Sequence, residues 1–422
     1  MTPPLHVCLV ALNALPAIFP EVSGPVGGME TRAWLFAREL AQLPGFRVSL
    51  ALHSHQTLPR TVESGVELFL SHEPLLALRR EVAPRLELLK RSPWQCLQVR
   101  HLDLCWKMPL LAWAKFWPKP DPLAGLIAAR ADVYCVFGVN RVSAAAIRLA
   151  KERHVPVLLF LAAEIDLDET ALGPDDSRDM YGESARTKRF VLQHSSAIIC
   201  QSVEQQARLK SAFGRESTVI GNPVELARWH AVTSAEQADC RTRYGLPEKF
   251  VLWMGRAEHA PKRPQLCLEI ARQLPEIPFV MILNPRDPVV EHEIHTQAGR
   301  NVRIIPRVSP ADMPALMKSA QVLLNTSSFE GSPNAFLQAA ASGVPVVSLS
   351  AGAELLAELE AGKDCAGELE QAVAMVRNYW EQPPTLAQQQ ITLARLRERH
   401  DSHRQAQALA AIIRQLLDDQ QR

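Results

Sequence analysis

The run from Val322 to Gln338 leaves this chain few ways to fold. An apolar stretch, Val322-Leu323-Leu324-Asn325, enters the polar loop Thr326-Ser327-Ser328-Phe329-Glu330-Gly331-Ser332. A short helix is predicted next, opening at Pro333 and closing at Gly343, and a second apolar stretch, 344–349, follows at once. Strand, loop, helix and strand in that order specify a parallel unit whose loop lies at the carboxyl end of a strand. Open parallel sheets bind their ligands there. Ser332 suits the cap and Pro333 the first helical position, where a missing N–H costs nothing. Free N–H groups at such a helix start attract an anion, typically a phosphate. Glu330, Asn334 and Gln338 recur at a spacing of four, so Asn334 and Gln338 share a helix face. An acid and two amides would then line the side of an anion site.

The rest of the chain repeats the pattern. Apolar strand-like runs at 7–12, 48–52, 131–137, 155–161 and 197–200 alternate with helical periods at 30–42, 144–152, 184–193 and 203–213. After the turn Gly221-Asn222-Pro223-Val224 and a polar stretch at 225–248, strand runs recur at 250–256, 279–283, 302–305 and 322–325. This alternation predicts an α/β protein with two Rossmann-like, doubly wound domains facing a cleft. The expected division is 1–224, 225–400, and a last helix in 401–422 returning to the first domain.

The loop Glu330-Gly331-Ser332-Pro333-Asn334, with the following Gly343-Val344-Pro345-Val346-Val347, resembles the signature of retaining glycosyltransferases of the GT-B fold, especially family 4. One position departs from the family pattern: Gln338 stands where a second Glu is usual. The resemblance implies that Glu330 touches donor-sugar hydroxyls and that Gln338 faces the nucleotide ribose, a diol that an amide can still hydrogen-bond. It extends to Gly255-Arg256 and Lys262 at the end of the 250–256 strand, both cations implied to hold the donor diphosphate, with Arg263 the rival of Lys262. A nucleotide-sugar leaves as a diphosphate whose growing charge must be stabilised in the transition state. Arg offers that group a planar fork and Lys a mobile point charge. Two cations and a helix start can do this without a metal. The triplet Asp166-Leu167-Asp168 lies in the first domain and is read as coincidence rather than a metal site.

Gly27-Gly28, two residues before Glu30, resembles the family's glycine loop facing the donor phosphates or the acceptor; a plain turn is the alternative. On the acceptor side the candidates are Asn140, Glu164 and Asp166, the last two binding acceptor hydroxyls or merely capping a turn. The donor site is thus expected to comprise Arg256, Lys262, Glu330, Gly27, Gly28, Gly331, Ser332, Asn334 and Gln338. No cofactor and no metal are expected. The substrates implied are a nucleotide-sugar, its base UDP-, GDP- or ADP-linked, and a glycan or lipid-linked acceptor. The rival readings are a GT-B nucleotide-sugar epimerase or phosphorylase, and a catalytically silent binding protein.

Composition bounds the remainder. Apolar residues make up 47% of 422 and the net charge is +1, so nothing points to a nucleic-acid partner. The eight cysteines include no Cys-x-x-Cys, which favours buried thiols in a cytoplasmic protein. No apolar run approaches the ~18 residues of a membrane span. Residues 5–19 are apolar but lack a basic start and carry Asn13 and Pro16, so a first strand is preferred to a signal peptide. Residues 72–120 read as an insertion. Between 79 and 119 there are nine basic residues against three acidic, an excess of six, with Trp94, Trp106, Trp113 and Trp117 interleaved. Such a stretch suits peripheral contact with the inner face of a membrane, or a helical pair packed on its domain.

Overall fold

The computed structural model describes residues 3–22, 24, 27–82, 103–113 and 121–421. Two compact units emerge, one running to Phe137 and taking in Ala145–Leu158, the other comprising Gly138–Ala144 and everything from Leu159 onward.

The first unit is a parallel sheet in the order β3-β4-β2-β1-β5. Its strands are β1 (Leu5–Val10), β2 (Phe46–Ser54), β3 (Val62–Glu63), β4 (Val66–His72) and β5 (Val133–Phe137). β1 and β5 are apolar on both faces and almost wholly buried, as parallel strands covered on both sides must be. Only β3 and β4 pair antiparallel. Ser64 and Gly65 between them both take positive φ, 49° and 81°, the primed two-residue turn that matches strand twist. This hairpin went unpredicted because no Asn-Gly or Asp-Gly pair marks it. Helix α1 (Gly28–Ala41) begins two residues before the expected 30. From the 72–120 stretch, helix α2 (Leu104–Trp113) is described. Trp106 on it is 60% exposed, and Lys107 is paired with Asp103 at 2.6 Å. Trp94 and Trp117 lie outside the described residues.

Within this unit His6 is buried in β1, its Nε2 sharing a 2.8 Å hydrogen bond with Ser49 Oγ on β2. Burial holds the imidazole below its ordinary range, the Arg47 charge adding to the effect. Below about pH 6.5 the unfolded chain therefore binds a proton that the folded chain resists, and stability falls as pH drops. Urea unfolding at pH 7.5 and 5.5 should show this loss, and His6→Gln should lessen it. An unchanged pH difference in the variant would assign the loss to other groups.

Strand β6 (Val157–Phe160) spans the division between the units. Helix α3 (Arg141–Glu152) precedes it, and β7 (Ala197–Cys200), helix α4 (Val203–Phe213) and β8 (Thr218–Val219) follow. The second unit also holds a six-stranded, all-parallel sheet of β9 (Val251–Arg256), β10 (Phe279–Asn284), β11 (Val302–Ile305), β12 (Val322–Asn325), β13 (Val346–Ser348) and β14 (Gly362–Asp364). Their order is β11-β10-β9-β12-β13-β14. Read from β9 as the first strand, this is 3-2-1-4-5-6, the doubly wound order. Alternate residues serve two cores. Phe250, Leu252, Val280 and Ile282 pack on one face with Phe336, while Val251, Trp253, Met281 and Leu283 pack on the other. The helices that matter below are α5 (Pro264–Gln273), α6 (Asn334–Ser342), α7 (Leu386–His400) and α8 (Ser402–Gln421). The six cysteines whose side chains are described are free and buried. No helix among the described residues is long and apolar enough to cross a membrane.

Candidate active site

In the doubly wound order the crevice opens where the winding reverses, between β9 and β12. The end of β9, the loops leaving those two strands and helix α6 carry most of the residues singled out from the sequence, and the structure stitches the loops together. Trp253, buried in β9, donates from Nε1 to Thr326 Oγ1 at 2.9 Å. The Thr326 hydroxyl reaches back to the Lys262 carbonyl at 2.8 Å. The Ser328 amide donates to the Pro261 carbonyl at 2.9 Å. Gly255 leaves room for the indole, since a Cβ there would come within 2.8 Å of it.

Stitched this way, the loops bring Lys262 Nζ onto Glu330 Oε1 in an ion pair whose side chains are 21% and 17% exposed. Arg263 is removed from the rivalry. Its Nε donates to the Thr326 carbonyl at 2.6 Å, and its Nη2 to the Ser327 carbonyl at 3.1 Å and Ser350 Oγ at 2.9 Å. It is a strut beneath the loop. It also adopts positive φ, 48°, to start α5 at Pro264. Arg256, at the end of β9, keeps its guanidinium 42% exposed, with Nη2 2.8 Å from Glu258 Oε1.

Helix α6 begins one residue later than predicted. Pro333 is its cap residue, with extended ψ of 112°, and Asn334 is the first helical position, so Ser332 does not cap it. The reason lies in tertiary bonding. Asn222 Nδ2 donates to both the Ser332 carbonyl and Asn334 Oδ1, each at 2.8 Å, and holds Ser332 outside the helix. The end is as expected, with Gly343 at φ 75° in the left-handed cap. Among the described residues the Gly331 and Ser332 amides donate to no protein acceptor, which suits an anion at this helix start. Asn334 and Gln338 both lie on α6, and the half-buried Gln338 side chain makes no hydrogen bond among the described residues.

The remaining candidates are placed differently. Asp166 is buried and fully used. Its Oδ1 accepts from the Val139 amide at 2.9 Å and its Oδ2 from the Ala162 amide at 2.6 Å, fixing the ends of two strand loops. Burial nonetheless raises its pKa. Asp168 instead pairs with the buried Lys188 at 2.8 Å, so the Asp166-Leu167-Asp168 triplet splits between two partners. Glu164 is partly exposed, 3.5 Å from Arg208, and its carboxyl is pushed up by burial. Asn140 Oδ1 accepts from the Ser143 amide at 3.0 Å, capping α3. In the other unit, Gly27 caps α1 with extended backbone, and the Glu30 carboxylate occupies the space a Cβ on Gly27 would fill.

Three residues near the loop were not singled out as site residues. Gln201 Nε2 donates to Asn222 Oδ1 at 2.9 Å. The Asn222 carbonyl accepts from His400 Nδ1, also at 2.9 Å. A Cβ on Gly331 would lie 2.7 Å from Gln201 Oε1, so only glycine lets the loop approach this closely. The one sequence sign of this cluster was Asn222 between a glycine and a proline.

Residues 248–378 match the family model "Glycosyl transferases group 1". No curated protein matches the chain. Among solved structures it is similar to sucrose-phosphate synthase from Thermosynechococcus elongatus, at TM-score 0.69 and 14% identity, covering 98% of this chain and 100% of that one. It is also similar to HepE of Anabaena in complex with UDP and glucose, at 0.62 and 15%, covering 97% and 100%. A third is WaaG, a glycosyltransferase involved in lipopolysaccharide biosynthesis, at 0.61 and 15%, covering 96% and 99%. The two parallel-sheet α/β architecture is that of these GT-B proteins.

Proposed function

We propose that the protein, whose residues 248–378 match the group 1 glycosyltransferase family model, is a retaining glycosyltransferase that moves a sugar from a nucleotide-sugar to a glycan or lipid-linked acceptor. The observation that carries this reading is the meeting of Lys262 with Glu330 between β9 and β12, beside the Gly331 and Ser332 amides, which have no acceptor among the described residues. Lys262 and Arg256 hold the diphosphate, helped by those amides, and stabilise the charge that grows as it leaves. Glu330 then turns to the sugar hydroxyls, and Gln338 to the ribose. The leaving phosphate takes the acceptor's proton, so no side chain is needed as general base. No metal takes part. Residues 225–400 carry the donor and 1–224 the acceptor, with Glu164 the partly exposed acceptor-side acid and the 79–119 stretch resting on the inner face of a membrane.

A thermal-shift screen of UDP, GDP and ADP tests the donor site. The structural neighbour HepE is described with UDP, so the uridine nucleotide is expected to give the clear shift. Lys262→Ala should abolish it. No shift with any nucleotide would overturn the donor site. Product NMR with the identified donor separates transfer with retention from an epimer or a sugar phosphate, and full activity in EDTA tests metal independence. One observation favours a silent binding protein: Gln338 replaces the usual acid and has no hydrogen-bond partner among the described residues to explain it. That reading predicts a nucleotide shift without turnover on any acceptor.

A further inference from the structure

We infer that Asn222 is a positioning residue for the Glu330–Asn334 loop and that Gln201 holds it in register. The hydrogen-bond directions leave one arrangement. The Ser332 carbonyl can only accept, so the Asn222 atom 2.8 Å from it is the donor nitrogen. Asn222 Oδ1 must then accept, and the Gln201 atom facing it at 2.9 Å is Nε2. Asn334 presents Oδ1 to the same Asn222 nitrogen. The Asn222 backbone is anchored in turn. Its carbonyl takes the His400 Nδ1 proton, and Val224 exchanges backbone hydrogen bonds with His400 and Ser402, where α7 gives way to α8. Gln201 and Asn222 are 7% and 2% exposed, so this amide chain is shielded from competing water. It grips the loop at Ser332 and Asn334, on the far side of Gly331 from Glu330. Lys262 holds Glu330 only through a side chain that the donor would draw away. Asn222 therefore keeps the loop in place at the stage when Glu330 has left Lys262 for the sugar.

The kinetic part of the test rests on the proposed transfer reaction; the exchange part does not. In the full chain without nucleotide, Asn222→Asp sets a carboxylate against the Ser332 carbonyl and Asn334 Oδ1. Amides of 328–336 should then exchange with deuterium about fivefold faster or more, with 279–284 in β10 unchanged. In transfer assays kcat should fall about tenfold, while the affinity for the bare nucleoside diphosphate falls by only about threefold, because Arg256 and Lys262 come from the other loop and only the help of the Gly331 and Ser332 amides is disturbed. A loss of folded protein alone would change neither the local exchange pattern nor the ratio of donor hydrolysis to transfer. Asn222→Ala combined with Asn334→Ala should cost less than the sum of the two single changes, since both remove the Asn222–Asn334 contact. If Asn222→Asp does not fold, Gln201→Met, which removes the donor to Asn222 and keeps the volume, should give the same pattern more weakly. Unaltered exchange at 328–336, or additive effects in the double variant, would overturn the assignment. A wild-type chain without transfer activity would count against the proposed function alone, the exchange result then deciding for or against Asn222.

Discussion

Lys262→Ala is expected to lower the sugar-transfer rate by about 10²- to 10³-fold, or ~3–4 kcal/mol of transition-state stabilisation. The size follows from what the ammonium does. It stands at the crevice between β9 and β12, about four-fifths shielded from solvent, beside helix-start amides that have no acceptor among the described residues. A charge placed there acts in a poorly screened space and needs no reorganisation as the leaving diphosphate gains charge. The fold should tolerate the change, because the contact that ties this loop to Thr326 uses the Lys262 carbonyl, not its side chain. Melting temperature without nucleotide is expected to move little. Lys262→Arg should recover only part of the rate, since a fork of different reach replaces a mobile point charge. Steady-state kinetics on the donor named by the thermal-shift screen decide the matter. A Lys262→Ala kcat within about threefold of wild type would take Lys262 out of the chemistry.

Glu330→Gln should separate two properties that Lys262→Ala lowers together. Without donor, Glu330 and Lys262 neutralise each other, so a diphosphate must draw the ammonium from a carboxylate already in place. An amide at 330 releases that hold. The bare nucleoside diphosphate should bind more tightly, by about fivefold, matching the ~1 kcal/mol of a partly exposed ion pair. Transfer should fall about 5- to 10-fold, because the charge-assisted hydrogen bond to the sugar, worth ~1.5–3 kcal/mol, becomes a neutral one worth ~0.5–1.5 kcal/mol. Calorimetry with the nucleoside diphosphate and kinetics with the nucleotide-sugar read the two effects separately. Weaker binding of the bare diphosphate in Glu330→Gln would mean that the carboxylate aids the phosphate site instead of competing with it.

Much of this was legible in the residues themselves. Buried parallel strands are continuous apolar runs, and β1, β5, β6, β9 and β12 all announced themselves that way, as did the glycine end of α6. The loop Glu330–Asn334 and the pair Arg256 and Lys262 could be picked out because they follow strand ends and resemble a family's signature. Other features depended on partners distant in the chain. The start of α6 moved from Pro333 to Asn334 because Asn222, 112 residues away, takes the Ser332 carbonyl and the Asn334 side chain. Arg263 and Lys262 are adjacent cations with equal claims by sequence. Only the packing of β9 against β12 set one on backbone carbonyls and the other on Glu330. Asp166 read either as an acid for acceptor hydroxyls or as a turn cap, and only the fold made it a buried acceptor of backbone amides. Periodicity and turn chemistry are properties of neighbouring residues, so the sequence could determine the elements and the ends at which ligands bind. Which polar side chain is free for chemistry depends on which buried donors and acceptors it must satisfy, and the fold alone brings those together.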